Sequence, residues 1–145
     1  MLKLTKIFHF ETAHAIHGYE GACKNIHGHS YELHVTVTAA ANTDDYIPAP
    51  GFVIDFKEIK KVVKEQVIVN LDHKLLLSKQ FISENKYTSQ QENIKVWDIE
   101  PTAENLLLYI KKVLTASLPA TVKLSHLKLY ETKDSYAEWC NFLTI

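Results

Sequence analysis

The stretch CKNIHGHSY, Cys23–Tyr31, gathers one thiol and two imidazoles within a few residues, with a glycine between the imidazoles. His27 and His29 are two positions apart. On an extended backbone they therefore point to the same side, with Cα atoms roughly 7 Å apart, a separation from which two imidazoles can reach one metal ion. A third ligand must come from another segment. His14 closes the strand-like stretch LTKIFHFETAHAI and is the first choice, because a hairpin returns the chain beside it; His17 is close enough to compete. Three imidazoles with a fourth position open describe a catalytic zinc site. Neutral ligands leave the ion its full charge, so such a site polarises substrate oxygens. Gly28 is expected to let the chain bend tightly between the two ligands.

Cys23 admits two roles. As a fourth ligand it would close the site and make it structural. As an unligated thiol beside a positive ion it would have a lowered pKa and serve as a base. Cys140, in the apolar-rich stretch EWCNFL, reads as a small buried apolar residue. His9, His34 and His126 read as surface or ordinary structural residues.

Carboxylates supply further candidates. Asp72 and His73 lie at the end of a helix-like segment, where the chain can turn and bring them into contact; Asp72 would then fix the imidazole tautomer and raise its basicity. The alternative is a capping histidine beside a solvated aspartate. Glu131 falls in phase with Leu127 and Leu129 at the end of a strand-like run. A carboxylate on an apolar face needs a partner, and a ligand with two adjacent N–H donors is one; solvent is the other. Glu104 sits in the first turn of a helix, where the dipole alone accounts for it, and Thr102 reads as the N-cap of that helix.

These residues must be carried by regular elements. Leu4, Phe8, Phe10 and His14 share one face of a first strand, and from His29 onward Tyr31, Leu33, Val35 and Val37 alternate with polar residues in a second. ANTDDYIPAPG reads as a turn. Ile59, Val62, Val63, Gln66, Val67 and Asn70 then fall at helical spacing, with Asp55 and Glu58 as a capping box and an end near Leu71. Residues 78–98 show no sustained period and read as a polar loop with at most one short element. Leu106, Leu107, Ile110, Val113 and Leu114 form the buried stripe of a second helix, stopped by Pro119. TVKLSHLKLYE is a strand whose apolar phase slips near Ser125, which predicts a bulge, and SYAEWCNFLTI is a last strand. The expected fold class is α+β, with order β-β-α-α-β-β and an antiparallel sheet carrying both helices on one face. Residues 1–145 are expected to form a single domain, and its two sheet edges invite self-association.

Composition narrows the function classes. The net charge is −1 and all 16 Lys+Arg residues are lysine. Neither a nucleic-acid surface nor bidentate phosphate recognition by arginine is expected. No stretch is apolar enough to span a bilayer, the N-terminus lacks a signal-type run, and two cysteines make a poor disulfide framework, so a reducing, cytoplasmic setting is expected.

FETAH, CKNIHGHSY, GFVIDF, LDH, PTAEN and YET occur in one order along the chain. Together they resemble the family of 6-pyruvoyl- and 6-carboxy-tetrahydropterin synthases over residues 7–77 and 101–132. The resemblance implies the tunnelling fold (T-fold), in which three subunits close a barrel and two trimers stack into a hexamer, with active sites between subunits. It implies Zn2+ on His14, His27 and His29, a catalytic Cys23 with the pair Asp72 and His73, and a pterin anchored by Glu131 in a pocket that Thr102 and Glu104 help to line. The implied substrate is 7,8-dihydroneopterin triphosphate. The short Cys-x3-His-Gly-His spacing is similar to the queuosine-pathway lyase, which leaves a 6-carboxyl group and releases acetaldehyde. The pyruvoyl-forming synthase is the alternative, and a non-catalytic zinc or pterin-binding oligomer is the rival from another class. Three features depart from the family pattern: Leu77 stands where asparagine is usual, residues 79–98 are longer than the usual connection, and the triphosphate must be met without arginine.

Overall fold

A computed structural model describes residues 1–41 and 44–142. Asn42 and Thr43 of the expected turn, and residues 143–145 of the expected last strand, lie outside the described residues. The chain runs β1 (Lys3–His14), a 3-10 turn (Ala22–Lys24), β2 (His27–Ala39), α1 (Phe56–Val63), a π turn (Lys64–Ile68), α2 (Val69–Leu71), β3 (Lys74–Ser78), α3 (Lys79–Glu84), a second 3-10 segment (Lys86–Gln90), β4 (Ile94–Trp97), α4 (Ala103–Ser117), β5 (Val122–Thr132) and β6 (Ser135–Cys140). Among the described residues no helix is long and apolar enough to cross a membrane.

The body is the expected antiparallel sheet of β1, β2, β5 and β6, with helices against one face. Its alternation sorts the side chains. Phe8, Phe10, Tyr31, Leu33, Val35, Val37, Leu127 and Leu129 face the helices and are buried. The intervening residues form the opposite, more polar face. The bulge lies where the apolar phase slips: Thr36 pairs with His126 but Val37 pairs with Leu124, leaving Ser125 as the extra residue.

The first helical run buries Ile59, Val63, Val67 and Leu71. Spaced by four, these residues drift about 40° per step around an ideal α-helix. The wider π turn at Lys64–Ile68 absorbs that drift and keeps them on one face. Both N-caps fall where expected: the Asp55 carboxylate accepts from Lys57 N and the Thr102 hydroxyl from Asn105 N.

The segment between the helices differs from expectation. It is not a loop: β3 and β4 extend the sheet in parallel, in the order β4-β3-β1-β2-β5-β6, with α3 between them capped by Ser78. Leu77 accordingly lies in a strand, fully buried in a second small core with Ala15, Leu75 and Phe81. An apolar side chain is what that environment requires, and the cluster fixes the chain immediately after His14. Gly28 also departs from expectation. It lies within β2 rather than at a bend, and a Cβ there would make only ordinary contacts, the nearest to Thr12 O at 3.5 Å.

Leu77→Asn should therefore destabilise the protein by about 2–5 kcal/mol, since it removes buried apolar volume and leaves an amide without partners. Urea unfolding monitored by circular dichroism checks this; an unchanged midpoint would contradict the assignment of Leu77 to the core.

Candidate metal and pterin site

The register of one hairpin sets the three imidazoles. In the β1–β2 ladder His14 is paired with His27, and Thr12 with His29, so all three histidines project from the helix-facing side at the open end of the sheet. Their ring centroids are 4.6–5.2 Å apart, and one ligand nitrogen from each lies within 4.8 Å of the others.

The hydrogen bonds around the rings decide what they can hold. His14 Nδ1 is 2.6 Å from the carbonyl oxygen of Pro101, and His27 Nδ1 is 2.7 Å from that of Asn25. A carbonyl only accepts, so both Nδ1 atoms carry the proton and both Nε2 atoms present lone pairs. Those two Nε2 atoms stand 3.0 Å apart. Two neutral rings cannot bond across that gap; it needs a positive species between or beside them. Burial holds the pKa of His14 below its ordinary value, against a smaller raising effect of the Pro101 carbonyl, which disfavours a proton in that role. His29 is also lowered, chiefly by burial, and its Nε2 is buried with no hydrogen-bond partner. Converging lone pairs, an orphaned ring nitrogen and neutral imidazoles are the donor set that Zn2+ takes, and tetrahedral ligands of one zinc ion stand about 3.3 Å apart. The residues fit the ion.

Of the three, His14 lines a cleft of about 400 Å³ together with Tyr19, Cys23, Thr102, Glu104 and Glu131, among others. Cys23 sits on the 3-10 turn between the hairpin strands; its carbonyl accepts from Ile16 N, at 2.8 Å, tying the turn to the segment after β1. Cys23 lines the cleft but does not belong to the converging group of ligand atoms, so the geometry favours the open over the closed arrangement. Glu131 reaches into the cleft with Oε1 3.5 Å from His29 Nε2. Thr102 is the N-cap of α4 and Glu104 lies in its first turn. His17 does not compete for the ion: its Nδ1 lies 3.4 Å from Glu84.

Asp72 and His73 form the expected pair, with His73 Nδ1 3.0 Å from Asp72 Oδ1. Asp72 also accepts from Glu11 N at 2.9 Å, and this backbone bond, ahead of His73 itself, holds its carboxyl below the usual aspartate range. His73 adopts a left-handed backbone (φ 58°) that turns the chain from α2 into β3. The pair does not reach the cleft. His73 lines a second depression of about 330 Å³ with Glu11, Ser30, Lys74 and Asn93, and His29 of the imidazole cluster borders it too.

Three contributors were not visible from residue types. Pro101 acts through its carbonyl. Glu100 holds that turn, its carboxylate accepting from His17 N at 2.7 Å, while its carbonyl accepts from the Asn105 amide at 2.9 Å. Tyr31 packs edge-on to His14 and His29 with a buried hydroxyl that has no partner, and burial pushes its pKa up. Glu100 precedes and Asn105 closes the PTAEN motif, the one signal that pointed at this turn.

Comparison with known proteins shows the family and the fold. The family model for 6-pyruvoyl tetrahydropterin synthase matches residues 3–141. The 6-carboxy-5,6,7,8-tetrahydropterin synthase of Rickettsia bellii is 34% identical, covering 95% of this chain and 99% of its own. The dihydroneopterin monophosphate aldolase of Pyrococcus furiosus is 33% identical, covering 86% of this chain and 85% of its own. The structure of Caenorhabditis elegans 6-pyruvoyl tetrahydropterin synthase superposes with a TM-score of 0.68 over 97% of this chain and 95% of its own, at 19% identity, and so speaks to the fold alone.

Glu100→Ala should loosen the turn that carries the Pro101 carbonyl and weaken zinc affinity about 10-fold, while the protein stays folded. Competition against a chromophoric chelator measures this; unchanged affinity would show that the turn does not hold His14.

Proposed function

This chain belongs to the 6-pyruvoyl tetrahydropterin synthase family, and we propose that within it the protein acts as a zinc-dependent lyase on 7,8-dihydroneopterin triphosphate. The products are 6-carboxy-5,6,7,8-tetrahydropterin, acetaldehyde and triphosphate, in the queuosine and 7-deazaguanine route. The observation that carries the proposal is the shared cleft: the metal-competent His14, the thiol of Cys23 and the carboxylate of Glu131 border one space large enough for a pterin. The relative from Rickettsia bellii supports the carboxy product.

Zn2+ held by His14, His27 and His29 would supply Lewis acidity toward the hydroxyl oxygens of the substrate side chain. Glu131 accepts the 2-amino and N3 hydrogens of the pterin, and Thr102 and Glu104 line the wall beside it. Cys23, as thiolate, removes a side-chain proton. His73, oriented by Asp72, is the proton-transfer partner. Because neither member of the pair lines the cleft of Cys23 and Glu131, and His73 opens into a second depression, the pair serves the cleft of a neighbouring copy in a homo-oligomer, proposed to be a dimer of trimers. Lys74, which borders the same depression, brings a positive charge for the phosphates.

A second reading keeps the scaffold and changes the cut. Among the described residues that line the cleft none is a lysine, and the relative from Pyrococcus furiosus is named for an aldolase acting on a monophosphate. Retro-aldol cleavage of dihydroneopterin monophosphate would release a phosphorylated two-carbon aldehyde. Pyruvoyl formation is the third outcome on the same substrate class.

Zinc-loaded protein incubated with each phosphate ester and analysed by mass spectrometry separates the three. Acetaldehyde with a carboxy-pterin supports the first proposal; a pyruvoyl-pterin or a phosphorylated aldehyde overturns it. Cys23→Ala should retain zinc and lose turnover by at least about 100-fold; zinc lost together with the thiol would make Cys23 a ligand instead.

A further inference from the structure

We propose a second metal site, for a divalent ion of the zinc class, on the sheet face turned away from the helices, formed by His126 of β5 with Glu138 and Cys140 of β6. The proposal is independent of the reaction in the helix-side cleft.

The site follows from the pairing of the last two strands. His126 is the cross-strand partner of Cys140, and Lys128 that of Glu138, so the alternation that sends Leu127 and Leu129 into the core sends His126, Glu138 and Cys140 to the opposite face. One ligand atom from each lies within 4.8 Å of the others. Cys140 Sγ is 3.6 Å from His126 Nδ1 and 3.7 Å from its Nε2; sulfur and nitrogen ligands of one tetrahedral zinc ion stand about 3.5 Å apart, so the sulfur is within ligand range of either ring nitrogen. His126 Nε2 also touches a carboxylate oxygen of Glu138. That contact is tighter than two ligands of one ion adopt, and Glu138, with a side chain 38% exposed, has room to withdraw. Lys128 is the competing cation, with Nζ 3.9 Å from the same carboxylate. The same Nζ also lies 4.6 Å from the centroid of the Tyr136 ring, so it keeps a partner when the carboxylate turns to an ion.

The donor set selects the ion. A thiolate, an imidazole and a carboxylate suit zinc and its soft neighbours and disfavour magnesium and calcium. Thiolate and carboxylate together cancel the double charge of the ion, whereas the three imidazoles of the first site leave it whole. The second site is therefore suited to hold structure: it cross-links edge strand β6 to β5, with a fourth position open to water.

Cobalt(II) reports both occupancy and sulfur ligation. Metal-free full-length protein is loaded with Co2+, separated from free ion, and read for bound cobalt per chain and for thiolate-to-cobalt charge-transfer absorption. Wild type should hold two ions, one in each cluster, with the absorption present. Cys140→Ser should lower the count by one and remove the charge-transfer intensity, while Cys23→Ser leaves both in place. His126→Gln should also lower the count by one, which keeps the test intact if the serine variant folds poorly. A single ion in wild type, or a count unchanged in both Cys140→Ser and His126→Gln, overturns the proposal.

Discussion

Two imidazole nitrogens with exposed lone pairs, held 3.0 Å apart, are the constraint on which the rest of this protein depends. Backbone carbonyls take the Nδ1 protons of His14 and His27, so the rings cannot relieve the repulsion by exchanging tautomers without giving up those bonds. Burial works against relief by protonation. A cation is the remaining remedy, and the third nitrogen, on His29, is buried beside them with no hydrogen bond, the Glu131 carboxylate standing 3.5 Å away. The fold thus makes metal binding the way to satisfy groups that are otherwise costly to bury.

Several elements exist in this arrangement to keep those nitrogens in place. The β1–β2 register pairs His14 with His27, and a slip of one residue would turn the histidines to the other face. The turn before α4 presents the Pro101 carbonyl and is itself held by Glu100 and Asn105. The small core of Ala15, Leu75, Leu77 and Phe81 anchors the chain just beyond His14. The added α3–β4 segment contributes Phe81 to that core and extends the sheet, so it has a structural part even though it lies away from the cleft.

Much of this was legible in the residues. Strand alternation placed His27 and His29 on one side and set His14 in phase with Phe8 and Phe10, which is the geometry found. The slip at Ser125, the caps at Asp55 and Thr102 and the Asp72–His73 contact also follow from local chemistry. Residues 78–98 were opaque because their elements are short and owe their stability to pairing: β4 has half-exposed or exposed residues throughout and gains its place from the ladder with β3. The Pro101 carbonyl carries no side-chain signal, and His126 and Cys140 are far apart in sequence and become neighbours only through the β5–β6 register. Where Asp72 and His73 stand relative to the cleft depends on the path of β3, which no local pattern encodes.

The most direct test of the central claim is anomalous diffraction at the zinc edge from crystals of the zinc-loaded protein. The account predicts a peak bonded to Nε2 of His14, His27 and His29, with the Nδ1 atoms still on the Pro101 and Asn25 carbonyls. No peak between those rings, or one bonded there to the sulfur of Cys23 in place of an open position, would contradict it.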